Sequence, residues 1–200
     1  MEKLMPLIGS CVLLFATAAA GDFDKIKSDL GRDGCHDFEF IAILESDIFD
    51  QVDSTYGTAY IASDGRYSLE IADESYVYDL ESVYSYSESA GQVIVEKAGG
   101  SAPRGEEFSF IMFLEECYET YNTDKNNCYR LIKHSDASAS YPDSLTVLID
   151  SEHLQLKHFE YFDVNEELNR IELLKQQYRP ECDCQRFVPD FPDSAEVIRL

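Results

Sequence analysis

From residue 58 to residue 97, apolar and polar side chains alternate with a period of two. The stretch 66–71 is the cleanest case, with Tyr67, Leu69 and Ile71 on one face and Ser68 and Glu70 on the other. The same period recurs over 58–62, 75–78, 82–87, 92–97, 145–150, 155–161 and 170–174. Each run is short, rich in Tyr, Val and Ile, and bounded by turn residues, which is the signature of half-buried strands. The breaks fall at Ser63-Asp64-Gly65, Asp73-Glu74, Ser89-Ala90-Gly91, Asp150-Ser151 and Asp163-Val164-Asn165. Gaps this short join antiparallel neighbours, because parallel strands need a crossover of about a dozen residues. Residues 38–44 are ambiguous by period, but their β-rich content and the turn that follows favour a buried strand.

Two stretches depart from the alternation. Phe23, Ile26 and Leu30 fit a short amphipathic helix that begins near Asp22. Residues 106–121 place Phe108, Ile111, Met112, Cys117, Tyr118 and Tyr121 at helical spacing, and Glu106 and Glu107 stand where the helix dipole favours negative charge. The Gly- and Ser-containing stretch 98–103 reads as a flexible connection, and 135–141 as a second small-residue loop. The predicted order is a helix, five or six antiparallel strands, a linker, a helix, then three or four more strands. A twisted sheet of this size curls or splits. Its inward face needs a cover, and the two helices are the candidates. The expected fold is mainly β in the α+β class: a curved antiparallel sheet forming an unclosed half-barrel covered by short helices as a lid. Apolar ligand cavities form in such sheets.

Residues 1–20 have a different character. Lys3 precedes an apolar run that ends in Ala18-Ala19-Ala20, the pattern of a secretory signal peptide cleaved near Ala20. The remaining 21–200 are expected to form one domain, exported to the periplasm. The charge of the full chain is strongly one-sided: 16 Lys and Arg against 39 Asp and Glu give a net charge of -23, which repels nucleic acid and anionic membrane surfaces. With 44% apolar residues, the chain is too hydrophobic to be a disordered acidic segment. It contains 13 Tyr and 12 Phe but no Trp, so the folded interior is expected to be aromatic without indole.

Five cysteines follow the signal: Cys35, Cys117, Cys128, Cys182 and Cys184. Export favours disulfides. Cys117 and Cys128 are placed to clamp a loop, and Cys35 with Cys182 or Cys184 would tie the start of the fold to its end. Structural zinc usually takes ligand pairs spaced by two to four residues, and Cys182-Asp183-Cys184 is too tight and lacks a second pair. No cofactor is expected. His36, His134, His153 and His158 form no catalytic pattern, and no nucleophile elbow, phosphate loop or dinucleotide fingerprint appears. The chain does not read as an enzyme.

The order of several short motifs resembles the LolA-like periplasmic outer-membrane lipoprotein carrier family. Gly65-Arg66-Tyr67 stands at its Gly-x-aromatic turn, Val77-Tyr78-Asp79-Leu80 at its Val-Ser-Asp-Gly strand, Val83-Tyr84-Ser85-Tyr86 at its Leu-Trp-x-Tyr strand, and Gln92-Val93-Ile94-Val95 at its Gln-Val-x-Val strand. Asp163-Val164-Asn165 matches its Asp-Gly-Asn turn, and Phe187-Val188-Pro189 with the segment from Pro192 to Ile198 its closing segment. The resemblance implies a half-barrel that carries lipoprotein acyl chains, or a similar lipid, toward the outer membrane without making or breaking bonds. It implies an inner-membrane releasing complex and an outer-membrane acceptor as partners, and a monomeric carrier. On this view Tyr67, Leu69, Ile71, Val83 and Val147 line the hydrophobic cavity from the sheet, and Ile111, Met112 and Phe113 from the lid. A packed core is the competing role for each of them. An envelope sensor or protein-interaction module on the same scaffold is the alternative function. Ser63 and Asp64 replace the family's Arg-Pro, Leu80 its Gly, and Tyr84 its Trp.

Overall fold

The computed structural model describes residues 21–46, 51–98, 110–163 and 166–200. The expected signal segment, most of the expected linker and the first part of the expected second helix lie outside the described residues, as do Val164 and Asn165. The elements in chain order are α1 (Asp22–Leu30), β1 (Cys35–Ser46), β2 (Gln51–Ala62), β3 (Tyr67–Ile71), β4 (Glu74–Tyr78), β5 (Ser82–Ser87) and β6 (Gln92–Lys97). A 3-10 turn at Phe110–Phe113 then runs into α2 (Leu114–Cys117). The chain continues with β7 (Tyr118–Asn122), β8 (Cys128–Lys133), β9 (Ser144–Asp150), β10 (Gln155–Phe162) and β11 (Leu168–Arg179). It ends with a second 3-10 turn, Cys184–Phe187, and β12 (Glu196–Arg199).

All twelve strands share one sheet, in the order β12-β6-β5-β4-β3-β2-β1-β11-β10-β9-β8-β7. Two meanders, β1 to β6 and β7 to β11, are joined along the long β1–β11 pair. The sheet is mainly antiparallel, curved and unclosed, as expected. Two irregularities accompany the curvature. The β1–β11 register slips between Glu39 and Phe40, and the β10–β9 register slips between Leu156 and His158. An unpaired residue on one strand bends it and raises the local twist. Gly57 lies opposite Phe40 on β2, and a Cβ there would come within 2.4 Å of the Phe40 ring. Only glycine lets that ring lie flat across the neighbouring strand.

The strand order puts β6 near one edge and β7 at the other, so the chain between them has to cross the width of the sheet. Its described part, Phe110–Cys117, crosses the face that also carries α1. Phe23, Ile26 and Leu30 of α1 join Phe110, Ile111, Met112 and Leu114 in one buried cluster with side chains of β1, β2 and β3. We call this the inner face. Phe23 stacks on Tyr129 of β8 with ring centroids 4.5 Å apart, so α1 bridges both meanders.

The opposite face carries a second, smaller cluster of Cys35, Tyr60, Ala62 and Phe187, with Cys182 packed against it. Here the chain after β11 runs back over β1 and β2 to reach the far edge. A Cys35–Cys182 disulfide fixes its start. Phe187 then stacks on Tyr60, Arg186 lies over the Tyr60 ring and pairs with Asp37, and Phe191 meets Tyr86. β12 ends the path, parallel to β6 and covering its edge.

Three sequence expectations are corrected. The helix expected over 106–121 ends at Cys117, because Tyr118 to Asn122 pair with β8 as an edge strand. The alternating Tyr118, Thr120 and Asn122 share the inner face, where the Tyr118 hydroxyl donates to the Pro142 carbonyl at 3.0 Å. The Cys117–Cys128 clamp does not form, and both thiols are free. Tyr118 pairs with Lys133 and Asn122 with Tyr129, so Cys117 and Cys128 sit at opposite ends of one hairpin. At about 3.3 Å per residue the separation far exceeds the reach of a disulfide. The meander is not wholly antiparallel either, since β12 joins in parallel.

The disulfide closes a sequence separation of 147 residues, so the unfolded chain loses much freedom when it forms. Reduction, or Cys35→Ser with Cys182→Ser, is expected to lower stability by roughly 2–5 kcal/mol in denaturant titrations. The Cys117→Ser and Cys128→Ser pair, in contrast, should show no loss specific to oxidising conditions.

Candidate functional site

The strand register fixes which side chains share the inner face. One row runs Ala59, Leu69, Tyr76, Ser85 and Ile94 across β2 to β6. The next runs Gly57, Ile71, Glu74, Ser87, Gln92 and, on β12, Glu196. A third holds Ile61, Tyr67, Tyr78 and Val83. The second row becomes polar toward the β6 edge, whereas the first ends on β6 in Ile94 and the third reaches Val83.

Of the sequence-derived residues, Tyr67, Leu69, Ile111, Met112 and Val147 are buried members of the inner cluster. Ile71 and Phe113 pack against it and remain half-exposed. Val83 is fully buried on the same face but stands apart from that cluster. The structure therefore brings seven of the eight to one apolar surface, with five packed into its interior. Ser63 and Asp64 form the β2–β3 turn, where the Ser63 hydroxyl accepts from the Gly34 amide and Asp64 pairs with Arg66. Partial burial works to raise the Asp64 carboxyl, but hydrogen bonds from Arg66 outweigh it and hold the group below the usual range.

Phe110 is the hub where cover meets sheet. Its ring makes edge contacts with Tyr118, Tyr141, Phe159 and Tyr161, the closest at 5.2 Å to Phe159. Burial pushes the Tyr118 phenol up, so it stays neutral and serves as a donor. Tyr141 and Tyr161 also line a cavity of about 320 Å³ with Pro142 and the exposed Phe162. A second cavity of about 110 Å³ lies on the inner face over β4, β5 and β6. Its lining includes Glu74, Tyr76, Ser85, Gln92 and Ile94. A third, about 420 Å³, is polar and lies between α1 and the β9–β10 turn. The first two flank the helical cover. Sequence reading missed Tyr76, Ser85 and Tyr161 as wall residues, although their alternating strands carried the signal.

The histidines do not converge. His134 bonds to the Glu116 carbonyl, His153 pairs with Asp150, and His158 lies on β10 near Glu160. His36 is completely buried beside Phe38 and Tyr178, and neither ring nitrogen has a hydrogen bond of normal geometry among the described residues. Burial lowers its pKa, and the nearby Asp29 carboxylate and carbonyl offset this only in part. Among the described residues no group of three His, Cys, Asp or Glu side chains is placed to hold a metal ion. The buried centre of the inner face is apolar.

No protein-family model matches the chain, and no curated protein matches it by sequence. Solved structures do. An uncharacterized conserved protein from Thermus thermophilus superposes with a TM-score of 0.52 at 11% identity, covering 90% of this chain and 97% of that one. A LolA superfamily protein from Nitrosomonas europaea gives 0.47 at 9% identity over 85% and 99% of the two chains. A DUF1329 family protein from Desulfovibrio piger gives 0.47 at 11% over 84% and 95%. At these identities the likeness is one of fold. The curved, unclosed sheet with its short helices is the fold that the chain shares with the Thermus thermophilus protein.

Two outcomes are expected from this geometry. Phe110→Ala removes the hub between cover and sheet and should cost about 3–5 kcal/mol in chemical denaturation. His36 is held neutral in the fold, whereas an unfolded chain protonates it near its ordinary 6.5. The unfolded state then binds more protons as pH falls, so His36 favours the fold fully above about 6.5 and progressively less below it. Unfolding measured from about pH 7.5 to about pH 5 should show this decline in wild type and a flatter profile in His36→Phe.

Proposed function

We propose that the protein is a non-catalytic periplasmic carrier. It binds lipoprotein acyl chains, or a similar lipid, in the apolar interior of the half-barrel and shuttles them toward the outer membrane. The observation that carries this reading is the construction of the inner face. Among the described residues its cover consists of α1 and the eight-residue span Phe110–Cys117, not a second sheet. A four-residue helix is far too short to be stable by itself, so α2 is held in place by its side-chain contacts with the sheet. Replacing Ile111, Met112 and Phe113 by an acyl chain exchanges one set of apolar contacts for another of the same kind. Met112 suits such exchange because its unbranched side chain repacks readily.

Tyr67, Leu69, Ile71, Val83 and Val147 are then the sheet wall, and Ile111, Met112 and Phe113 the displaceable wall. The motif order adds family support for an inner-membrane releasing complex and an outer-membrane acceptor, with the carrier acting as a monomer. The large negative charge keeps the exterior soluble while the interior is apolar.

Native mass spectrometry of protein isolated from its own periplasm is expected to show copurifying lipid or lipopeptide, and the delipidated protein to bind a fluorescent fatty probe. Ile71→Glu and Phe113→Glu place charge at half-exposed wall positions that can hydrate. They should weaken probe binding about tenfold with little change in melting temperature. Leu69→Glu sits in the closed part of the wall and should instead destabilise the protein by several kcal/mol. A clean apo mass with no probe binding would overturn the carrier and favour a sensor or protein-interaction module.

A further inference from the structure

Ser85 lies at the centre of β5 on the inner face, between Tyr76 and Ile94. It is only 7% exposed, and its hydroxyl has no hydrogen-bond partner among the described residues. A buried polar group without a partner costs stability, so such a group calls for an explanation. Ser85 lines the cavity of about 110 Å³ over β4 to β6. The next row outward supplies the rim. There the Glu74 carboxylate accepts from the Tyr76 hydroxyl, and the Glu196 carboxylate accepts from the Gln92 amide at 2.9 Å. No Lys or Arg among the described residues forms an ion pair with either carboxylate, whereas Asp37, Glu39, Glu160 and Asp143 all have one. On the other side of Tyr76 the wall becomes Leu69 and Ala59 and runs under the helical cover.

We infer that this cavity is the head-group end of the ligand site, and that it selects an amphiphile bearing a primary ammonium. The inference rests on the carrier reading and names the chemical class of its ligand. Each acceptor matches one feature of such a head. Ser85 offers a lone pair at the inner end, and the two carboxylates offer charge-assisted acceptance at the rim. A cavity of this volume holds a small head, and the chain attached to it follows Tyr76 and Leu69 toward the cover. An anionic head would meet two carboxylates, and no Lys or Arg among the described residues lines the cavity to receive it.

The protein's overall charge of -23 draws any cation toward its surface, so attraction alone is not selection. Changing two of 39 acidic residues leaves that general field almost intact and removes the local one. The test is competition of dodecylammonium, dodecyltrimethylammonium and dodecanoate against a fluorescent fatty probe, below their aggregation concentrations and at low salt. Dodecylammonium is expected to bind about tenfold more tightly than dodecanoate in wild type. The ratio should fall close to one in Glu74→Gln with Glu196→Gln. Ser85→Ala should remove the advantage of the primary ammonium over the quaternary one, about threefold, because only the former donates N–H to that hydroxyl. Both carboxylates are exposed, so the double variant is expected to fold as wild type does. Equal binding of all three heads, unchanged in the double variant, would overturn the head-group assignment and leave the carrier standing. Tighter binding of dodecanoate would do the same. If none of the three binds, the carrier reading itself falls.

Discussion

The chain leaves its sheet at β6, near one edge, and re-enters at β7, on the other. That single topological demand governs the architecture. A connection between opposite edges must cross a face, and the crossing segment needs apolar side chains to lie on an apolar sheet. Phe110, Ile111, Met112 and Leu114 meet this need. Among the described residues this connection and α1 together cover the inner face through their side chains.

The outer face answers a different need. The strand after which the chain finishes, β11, lies in the middle of the sheet, so the last residues also have to travel. They do so over the outer face, fixed by the Cys35–Cys182 bond, the Tyr60–Phe187 stack and the Arg186–Asp37 pair. This path ends in β12, which covers the β6 edge that would otherwise offer open backbone groups to another chain. The outer face thus carries a covalent staple, while the described cover of the inner face is held by aromatic and apolar packing and the Lys27–Thr120 hydrogen bond.

Local alternation made β3 to β6, β9, β10 and the heart of β11 legible, because a strand with one buried face writes its period directly into the sequence. Phe23, Ile26 and Leu30 announced α1 in the same way. The stretch 106–121 misled, since Phe108, Ile111, Met112, Tyr118 and Tyr121 fit a helical period although Tyr118 and its successors are a strand. Over so few residues the two periods overlap, and pairing with β8 decides between them. β8 itself has no clean alternation in Cys128 to Lys133 and passed unread. The candidate wall was legible where it coincides with alternation, as at Tyr67 and Leu69. Ser85 and Glu74 were not, because a polar residue on an inward face looks like any other polar residue until the register is known.

By itself the sequence determined the local periods, the acidic and aromatic composition, and the antiparallel pairing that short turns force within each meander. These are properties of adjacent residues, set by backbone geometry and side-chain polarity over a handful of positions. The tertiary structure alone decided which strands meet across the chain, β1 with β11 and β6 with β12, and which cysteine Cys35 finds. It decided that Cys117 and Cys128 stay apart and that Ser85 is buried without a partner among the described residues. Those outcomes depend on register between segments far apart in sequence, where no local pattern carries the information.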